Sequence, residues 1–303
     1  MAQQKFIKRT DMQALRGTGV ALVTPFKADL SVDLEAFGRL IDFNIDNGID
    51  YLVVNGTTGE SVTTSPEERA QLLAFAKERV AGRKPLVYGL GSNDTQYVLE
   101  QIKQLDFTGV DALLSVCPYY NKPSQEGVFL HYTAIADASP VPVILYNVPG
   151  RTGINMTVAT TLRLAQHPNI IGTKDACGNM EQYMQLLEER PEGFLIISGD
   201  DMHTVPVIAV GGDGIISVLA NAFPERFSRM TRLALDGNFK EAGALQRSFG
   251  RINPLMYEEA NPVGVKLALQ LAGICDPYVR LPLAPASQSL VQRIQEAAAP
   301  LFQ

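Results

Sequence analysis

Eight short apolar stretches, each followed by a helical pattern, are the feature of this sequence that most restricts its fold. Apolar and β-branched residues run on in each stretch instead of alternating with polar ones, which is typical of strands buried on both faces of a sheet. The stretches are GVALVTP (19–25), DYLVVNG (50–56), PLVYGLG (85–91), ALLSVCP (112–118), VPVILYN (141–147), NIIGTKD (169–175), FLIISGD (194–200) and GIISVLA (214–220). Helical patterns lie at 34–48 and 65–80, and at about 95–105, 125–137, 155–166, 179–190, 201–210 and 224–236. Strands that alternate with helices predict a parallel sheet.

Two of the helical patterns carry terminal signals. The first ends on Gly48, a residue typical of C-caps, and the second opens with Ser65 as N-cap and Pro66 at the first helical position. These signals place the helix boundaries close to the edges of the apolar pattern.

The parallel sheet can be open or closed. An open sheet that binds a nucleotide carries a glycine-rich GxGxxG or Walker turn after an early strand, and the sequence contains neither. We therefore predict an α/β fold, a (β/α)8 TIM barrel with a C-terminal helical appendage. The predicted division is an N-terminal extension over residues 1–16, a barrel with the active site over 17–237, and a helical region over 238–303.

Composition excludes several classes of protein. The chain has 303 residues, of which 46% are apolar. It contains 26 basic and 32 acidic residues and has no run of basic residues that could bind the phosphates of a nucleic acid. No stretch has the length of a membrane span, and the opening residues lack the apolar segment of a signal peptide. The three cysteines are widely spaced, and the three histidines have no metal-ligand spacing. We expect a cytoplasmic protein with reduced thiols that binds neither nucleic acid nor a membrane.

A TIM barrel places its active site at the C-terminal ends of its strands. Residues directly after the predicted strands are therefore candidates. Four such segments carry polar or reactive groups: GTTGES (56–61), PYYN (118–121), YNVPGR (146–151) and Lys174-Asp175. We predict that they meet at one mouth.

Lys174 is the most specific of these signals. It ends an apolar run, so its amine is expected to enter the barrel mouth away from bulk solvent. A lysine nucleophile reacts through a free lone pair, and desolvation promotes the neutral amine. Such a lysine is suited to a Schiff base with a carbonyl substrate. The alternative is a structural lysine paired with Asp175 or Asp200.

Three further signals fall on the same mouth. Tyr146 lies on the adjacent strand and has a phenol that can pass protons, although a core tyrosine bonded to a carbonyl is the alternative. Thr57 and Thr58 stand between two glycines, which favours a nest of backbone N–H groups for a carboxylate, or else an ordinary turn. Arg151 follows a Pro-Gly turn and is suited to bidentate carboxylate recognition, or else is a solvated surface arginine. Together these residues favour a class I aldolase or lyase that acts on a 2-oxo acid such as pyruvate.

The motifs resemble those of a known family over nearly the whole chain. They are GTGVALVTPF (17–26), GTTGES (56–61), PYYNKPSQEG (118–127), ILYNVPGRTG (144–153), GTKDACGN (172–179), SGDD (198–201), GGDGIISVLAN (211–221), ANPVGVKLAL (260–269) and RLPLAP (280–285). At these residues the chain resembles the dihydrodipicolinate synthase family, which belongs to the pyruvate-dependent class I aldolases together with N-acetylneuraminate lyase. The first ten or so residues fall outside the resemblance.

The resemblance implies condensation of pyruvate with L-aspartate 4-semialdehyde, without a metal or organic cofactor. It implies that Lys174 forms the Schiff base and that Tyr146 relays protons with Thr58 and with Tyr120 of a neighbouring subunit. The further implied roles are carboxylate binding by Thr57 and Thr58, binding of the second substrate by Arg151, and backbone carbonyls that face the site at Gly199 and Ile216. It also implies a homotetramer built as a dimer of dimers.

The residues of an inhibitor pocket depart from the family pattern. In lysine-inhibited relatives this pocket uses an asparagine, a glutamate, a tyrosine and two histidines. Asn93 and Tyr119 match, but Tyr97 replaces the glutamate, and Pro66 and Arg69 replace the histidines. An ammonium group loses a charge-assisted partner there, so we predict weak or absent inhibition by lysine. A second departure, Asp175 in place of the usual glutamate, leaves the assignment of the adjacent lysine unchanged.

Two other functions remain open. N-acetylneuraminate lyase and sugar-acid aldolases share the fold and the lysine, but they are expected to present groups for a polyol where this chain has Arg151. A non-catalytic binding protein on the same barrel is the alternative from another class, since fold does not fix function. Such a protein is expected to have lost the lysine or the tyrosine, and this sequence retains both.

Overall fold

Eight parallel strands form a closed barrel in chain order, as the computed structural model of residues 13–302 shows. Each strand pairs with the next, and β8 pairs with β1 to close the sheet. The strands are β1 Gly17–Ala21, β2 Tyr51–Val54, β3 Leu86–Gly89, β4 Ala112–Val116, β5 Val143–Asn147, β6 Ile170–Asp175, β7 Leu195–Ser198 and β8 Gly214–Ser217. The predicted TIM barrel is confirmed. Residues 1–12 of the predicted N-terminal extension, and residue 303, lie outside the described part.

Helices cover the outside of the barrel. They are α1 Leu34–Asp46, α2 Pro66–Val80, α3 Thr95–Gln104, α4 Gln125–Ala138, α5 Pro149–Thr152, α6 Val158–Leu164, α7 Met180–Glu189, α8 Thr204–Ala209, α9 Pro224–Leu235, α10 Phe239–Ser248, α11 Val263–Leu271 and α12 Gln288–Ala298. Every predicted strand and helix overlaps an observed one. No helix within residues 13–302 is long and apolar enough to cross a membrane.

The helix termini follow the local sequence closely. At the start of α2, Ser65 accepts from the backbone N–H of Glu68, whose side chain accepts from the backbone of Ser65 in return. At the end of α1 the expectation is one residue off. Asn47 is the C-cap, and Gly48 follows it with a φ of +88°, the left-handed conformation in which glycine replaces a strained L-residue.

Several predicted strands are longer than the observed ones because the apolar run continues into the loop. The first stretch is predicted to reach residue 25, yet β1 ends at Ala21. The next residues stay buried without strand pairing on both sides. Leu22 donates to the carbonyl of Val53, and Val23 donates to the side chain of Asn221. An apolar run therefore indicates burial, which at the barrel mouth extends beyond the end of the strand.

Apolar side chains form two layers, one inside the barrel and one between strands and helices. The inner layer includes Tyr51, Val53, Ile144 and Ile197, each fully buried. Leu15, from the N-terminal extension, joins this inner layer. The barrel is thus a filled core that supports the mouth, not a channel.

The C-terminal helices share the outer layer. The ring of Phe249 lies 5.3 Å from that of Phe227 on α9, and the ring of Phe302 lies 4.9 Å from that of Phe223. The predicted division at residues 237 and 238 falls in the turn between α9 and α10. It remains a prediction, and the apolar core is continuous across it.

Candidate active site

A cavity of about 1150 Å³ opens at the C-terminal ends of the strands. It brings together most of the residues that the sequence singles out, although they are dispersed along the chain. Those that line it are Thr57, Thr58, Tyr97, Tyr119, Tyr146, Arg151, Lys174 and Gly199. The strand-end rule therefore locates the mouth correctly.

Lys174 lies at the end of β6, paired in register with Tyr146 on β5. Its side chain is buried, and the Nζ atom lies 4.2 Å from the centroid of the Tyr146 ring. Within the described residues no carboxylate lies within 4.0 Å of this amine, so the alternative of a structural ion pair is not observed. The lysine is held beside a phenol in a cavity, with its amine available to a ligand.

Gly199, which follows β7, leaves room for this amine. A Cβ atom built there would approach the Cε atom of Lys174 to 3.1 Å and the Cβ atom of Ala176 to 2.8 Å. Any larger residue would displace the lysine or its neighbour, so glycine is required for the shape of the site.

Asp175 turns to the other face of β6, as alternation along a strand requires. Its carboxylate accepts from Gln182 Nε2 at 2.7 Å, from the Cys177 backbone at 2.7 Å and from Asn147 Nδ2 at 3.2 Å. The aspartate connects β6 to the last residue of β5 and to α7. It does not neutralise the lysine.

The threonine pair forms a 3₁₀ turn, Thr57–Gly59, directly after β2. The first N–H groups of a helical turn have no acceptor within it, and Thr57 and Thr58 provide them here. Thr24 Oγ1 holds the end of the turn by donating to the carbonyl of Gly59 at 2.6 Å. The geometry suits a small carboxylate.

A buried ion pair anchors this turn from below. Glu60, in the left-handed conformation at φ +53°, accepts from Lys266 Nζ at 2.5 Å and from the Arg280 backbone at 3.0 Å. Lys266 also donates to the carbonyl of Tyr278 at 2.7 Å. Burial lowers the pKa of Lys266, and the adjacent carboxylate of Glu60 opposes that effect.

Arg151 lies on the one-turn helix α5, where the sequence predicts a stiff loop. Its side chain lines the cavity and is exposed. It makes no ion pair with any carboxylate in residues 13–302. A guanidinium in this position can receive a substrate carboxylate through two parallel hydrogen bonds.

Three predicted residues do not line the cavity of the single chain. Tyr120 is 87% exposed, in the left-handed conformation at φ +71°. Ile216 is buried in the inner apolar layer. Asn93 lies outside the lining, and its carbonyl accepts from Asn121 Nδ2 at 2.9 Å.

On one side of the cavity the guanidinium of Arg69 lies near tyrosine side chains. Arg69 donates to the hydroxyl of Tyr97 at 3.0 Å, and Tyr119 lines the same cavity. Nearby, burial raises the pKa of Tyr88 to about 12. Arg69 and Tyr97 are two of the residues that depart from the inhibitor-pocket pattern, whereas Tyr119 matches it.

The C-terminal region contributes residues that sequence reasoning missed. Asn253, Tyr257 and Asn261 line the cavity. Asn261 Nδ2 donates to Thr58 Oγ1 at 3.0 Å. The Tyr257 hydroxyl donates to Asp201 at 3.3 Å, a fully buried carboxyl whose pKa is raised by desolvation. For Asn261 the motif ANPVGVKLAL was the available signal, whereas Asn253 and Tyr257 lie outside every motif.

Metal ligands are not grouped in the described part of the chain. Between residues 13 and 302 no cluster of three or more His, Cys, Asp or Glu side chains could hold a metal ion.

Comparison with known proteins gives consistent matches. The model of the dihydrodipicolinate synthetase family matches residues 14–299. The chain is 55% identical over 286 residues to a 4-hydroxy-tetrahydrodipicolinate synthase of Cytophaga hutchinsonii, covering 94% of this chain and 96% of that protein. The crystal structure of the dihydrodipicolinate synthase of Aquifex aeolicus superposes with a TM-score of 0.91 at 37% identity, covering 95% and 98% of the two chains. A structure of the Cyanidioschyzon merolae enzyme with lysine bound gives a TM-score of 0.92, also at 37% identity, covering 95% and 99%.

Proposed function

The chain belongs to the dihydrodipicolinate synthetase family, and we propose that Lys174 carries its reaction by forming a Schiff base with pyruvate. Its activity is that of a 4-hydroxy-tetrahydrodipicolinate synthase, a Schiff-base-forming lyase. The enzyme condenses pyruvate with L-aspartate 4-semialdehyde on the diaminopimelate route to L-lysine. The observation that carries the proposal for Lys174 is its buried amine, unpaired within the described residues, 4.2 Å from the Tyr146 ring.

The first half of the reaction joins pyruvate to the lysine. The Lys174 amine attacks the ketone carbon, and the carbinolamine loses water to give the imine. The Tyr146 phenol, beside the amine, gives and takes the protons of these steps. Thr57 and Thr58 hold the pyruvate carboxylate, and the backbone carbonyl of Gly199 faces the bound intermediate.

The second half forms the new carbon–carbon bond. Loss of a proton from C3 converts the imine to an enamine, whose C3 attacks the aldehyde carbon of the semialdehyde. Arg151 binds the carboxylate of this second substrate. The α-amino group of the semialdehyde then attacks the imine carbon, closes the ring and releases Lys174 as the free amine.

Intact-mass spectrometry after borohydride reduction tests the nucleophile. Wild type incubated with pyruvate should gain one reduced pyruvate, and Lys174→Ala should gain none. Lys240→Ala, on the exposed side of α10, is the matched control and should keep the adduct. A coupled assay with L-aspartate 4-semialdehyde follows. No adduct on wild type would refute the Schiff base, and an adduct without turnover would point to another aldehyde acceptor.

We propose further that the enzyme is a homotetramer, a dimer of dimers, in which Tyr120 serves the cavity of the neighbouring subunit. Support comes from Tyr120 itself, which is 87% exposed and outside the cavity of its own chain. Light scattering measures the mass. Mixing Tyr120→Phe with Lys174→Ala subunits tests the exchange, because hybrid dimers contain one complete site only if Tyr120 acts across the interface. Absence of regained activity in verified hybrids would place Tyr120 outside the relay.

We also propose a cytoplasmic location. The three cysteines are free thiols, as expected in a reducing compartment. Fractionation of cells that contain the protein tests this proposal, and recovery outside the cytoplasmic fraction would contradict it.

A further inference from the structure

We propose that Asn261 is a positioning residue that aims the hydroxyl proton of Thr58 into the Lys174 cavity. The inference rests on the proposed function, because it assigns a cause to the orientation of a hydroxyl that acts there. It gives the C-terminal region a part in the chemistry of the barrel mouth.

The geometry of one hydrogen bond is the basis. Asn261 Nδ2 lies 3.0 Å from Thr58 Oγ1, across a sequence separation of 203 residues. Both side chains are more than nine-tenths buried, and both line the cavity. A hydroxyl has one proton and two lone pairs, whereas an amide NH₂ group can only donate. Thr58 therefore accepts from Asn261, and its own proton remains for a group in the cavity.

The two partners are held at a fixed distance by a second connection. Asn261 directly precedes the segment that leads into α11, and Lys266 on that helix binds Glu60, two residues after Thr58. The threonine turn and the start of α11 are thus joined at two points. Within residues 13–302 the Oδ1 atom of Asn261 is buried and has no hydrogen-bond partner.

This arrangement predicts that an isosteric substitution of Asn261 lowers kcat/KM more than its truncation to alanine. Asn261→Asp retains the shape of the side chain, but a carboxylate only accepts, so it captures the Thr58 proton and removes it from the cavity. Asn261→Ala merely releases the hydroxyl to rotate. We expect kcat/KM for pyruvate to fall about tenfold in Asn261→Ala and about a hundredfold in Asn261→Asp, at the lower end of effects of misdirected proton-transfer groups. A purely structural role instead lowers the folded fraction and leaves kcat/KM per folded enzyme unchanged, because its effect comes from packing and from the buried carboxylate.

The pH profile gives a second readout. In Asn261→Asp the introduced carboxyl becomes a donor when protonated, so its activity relative to wild type should rise as the pH falls. Asn44→Asp is the matched control, because Asn44 is a buried amide on α1 that donates to the Leu40 carbonyl outside the cavity. That variant should show no such relative gain at low pH, whatever stability it loses.

A double-mutant cycle with Thr58→Val keeps the inference testable if Asn261→Asp folds poorly. If Asn261 acts through Thr58, then adding Asn261→Ala to Thr58→Val should cost less than twofold further, whereas independent effects multiply. Multiplying effects, or a milder Asn261→Asp than Asn261→Ala, would overturn the inference. In every variant borohydride trapping is measured as well. Failure to trap pyruvate in wild type refutes the proposed function, whereas normal trapping in wild type with the wrong order of variants refutes only the role of Asn261.

Discussion

Replacing Lys266 by methionine should destabilise the whole protein more than any exposed lysine change. Lys266 is fully buried, and Glu60 is 2% exposed in the ion pair between them. Methionine fills a similar volume but leaves the Glu60 carboxylate without its cation and the Tyr278 carbonyl without its donor. Removing one partner of a buried pair costs about 3–5 kcal/mol, because the remaining charge is uncompensated.

The magnitude is large against the stability of a folded protein, which is about 5–15 kcal/mol. At about 2 °C per kcal/mol for a chain of this size, the melting temperature should fall by about 6–10 °C. Differential scanning calorimetry measures the shift. Lys240→Met, an exposed change, is the control and should melt close to wild type.

A paired variant tests the reasoning itself. If an unpaired charge causes the loss, then Lys266→Met combined with Glu60→Gln removes that charge and should recover much of the stability. A double variant that melts as low as Lys266→Met would show that packing, not charge, dominates. A single variant within about 1 °C of wild type would refute the energetic argument altogether.

Two further predictions concern protons and inhibitors. Burial lowers the pKa of His131 to about 4 from an ordinary 6.5, so the unfolded chain takes up this proton first as the pH falls. The contribution of the neutral His131 to the free energy of unfolding is complete above pH 6.5 and is lost between pH 6.5 and about 4, by about 3 kcal/mol in all. Urea unfolding across this range should show a smaller loss of stability in His131→Gln than in wild type. An identical pH dependence in the two proteins would refute the assignment. L-lysine at about 0.1 mM should leave the reaction rate unchanged, because the Arg69 cation beside Tyr97 faces a ligand that is itself cationic. Saturable inhibition at that concentration in initial-rate measurements would contradict this prediction.

The barrel could be predicted from the sequence because its signals are local. Each strand is an apolar run, and each outer helix shows periodicity, as α2 does with the cap at Ser65. Because a TIM barrel has its active site at the C-terminal ends of its strands, the sequence alone predicted that Lys174, Tyr146 and Arg151 lie at one mouth. The predicted ends of the strands were wrong, because an apolar run such as 19–25 indicates burial whether or not its backbone pairs as a strand.

The missing part of the site depends on contacts between distant residues. Asn261 and Tyr257 reach the cavity from the C-terminal region, and no local pattern shows which strand end they face. For Lys266 the signal was a single charge within the apolar segment GVKLAL of α11. Such a charge indicates a buried partner, but the sequence does not identify that partner as Glu60.

The tethers between the threonine turn and the C-terminal region also set an order of events during synthesis. Glu60 and the Arg280 backbone that binds it are separated by 220 residues. At about 5–20 residues per second, a ribosome needs roughly 10–40 s to make the intervening chain. Until Lys266 and Arg280 have been made, Glu60 has neither of them as a partner, and the turn at Thr57 and Thr58 is not anchored. The carboxylate site can therefore be completed only near the end of translation, after all eight strands have been made.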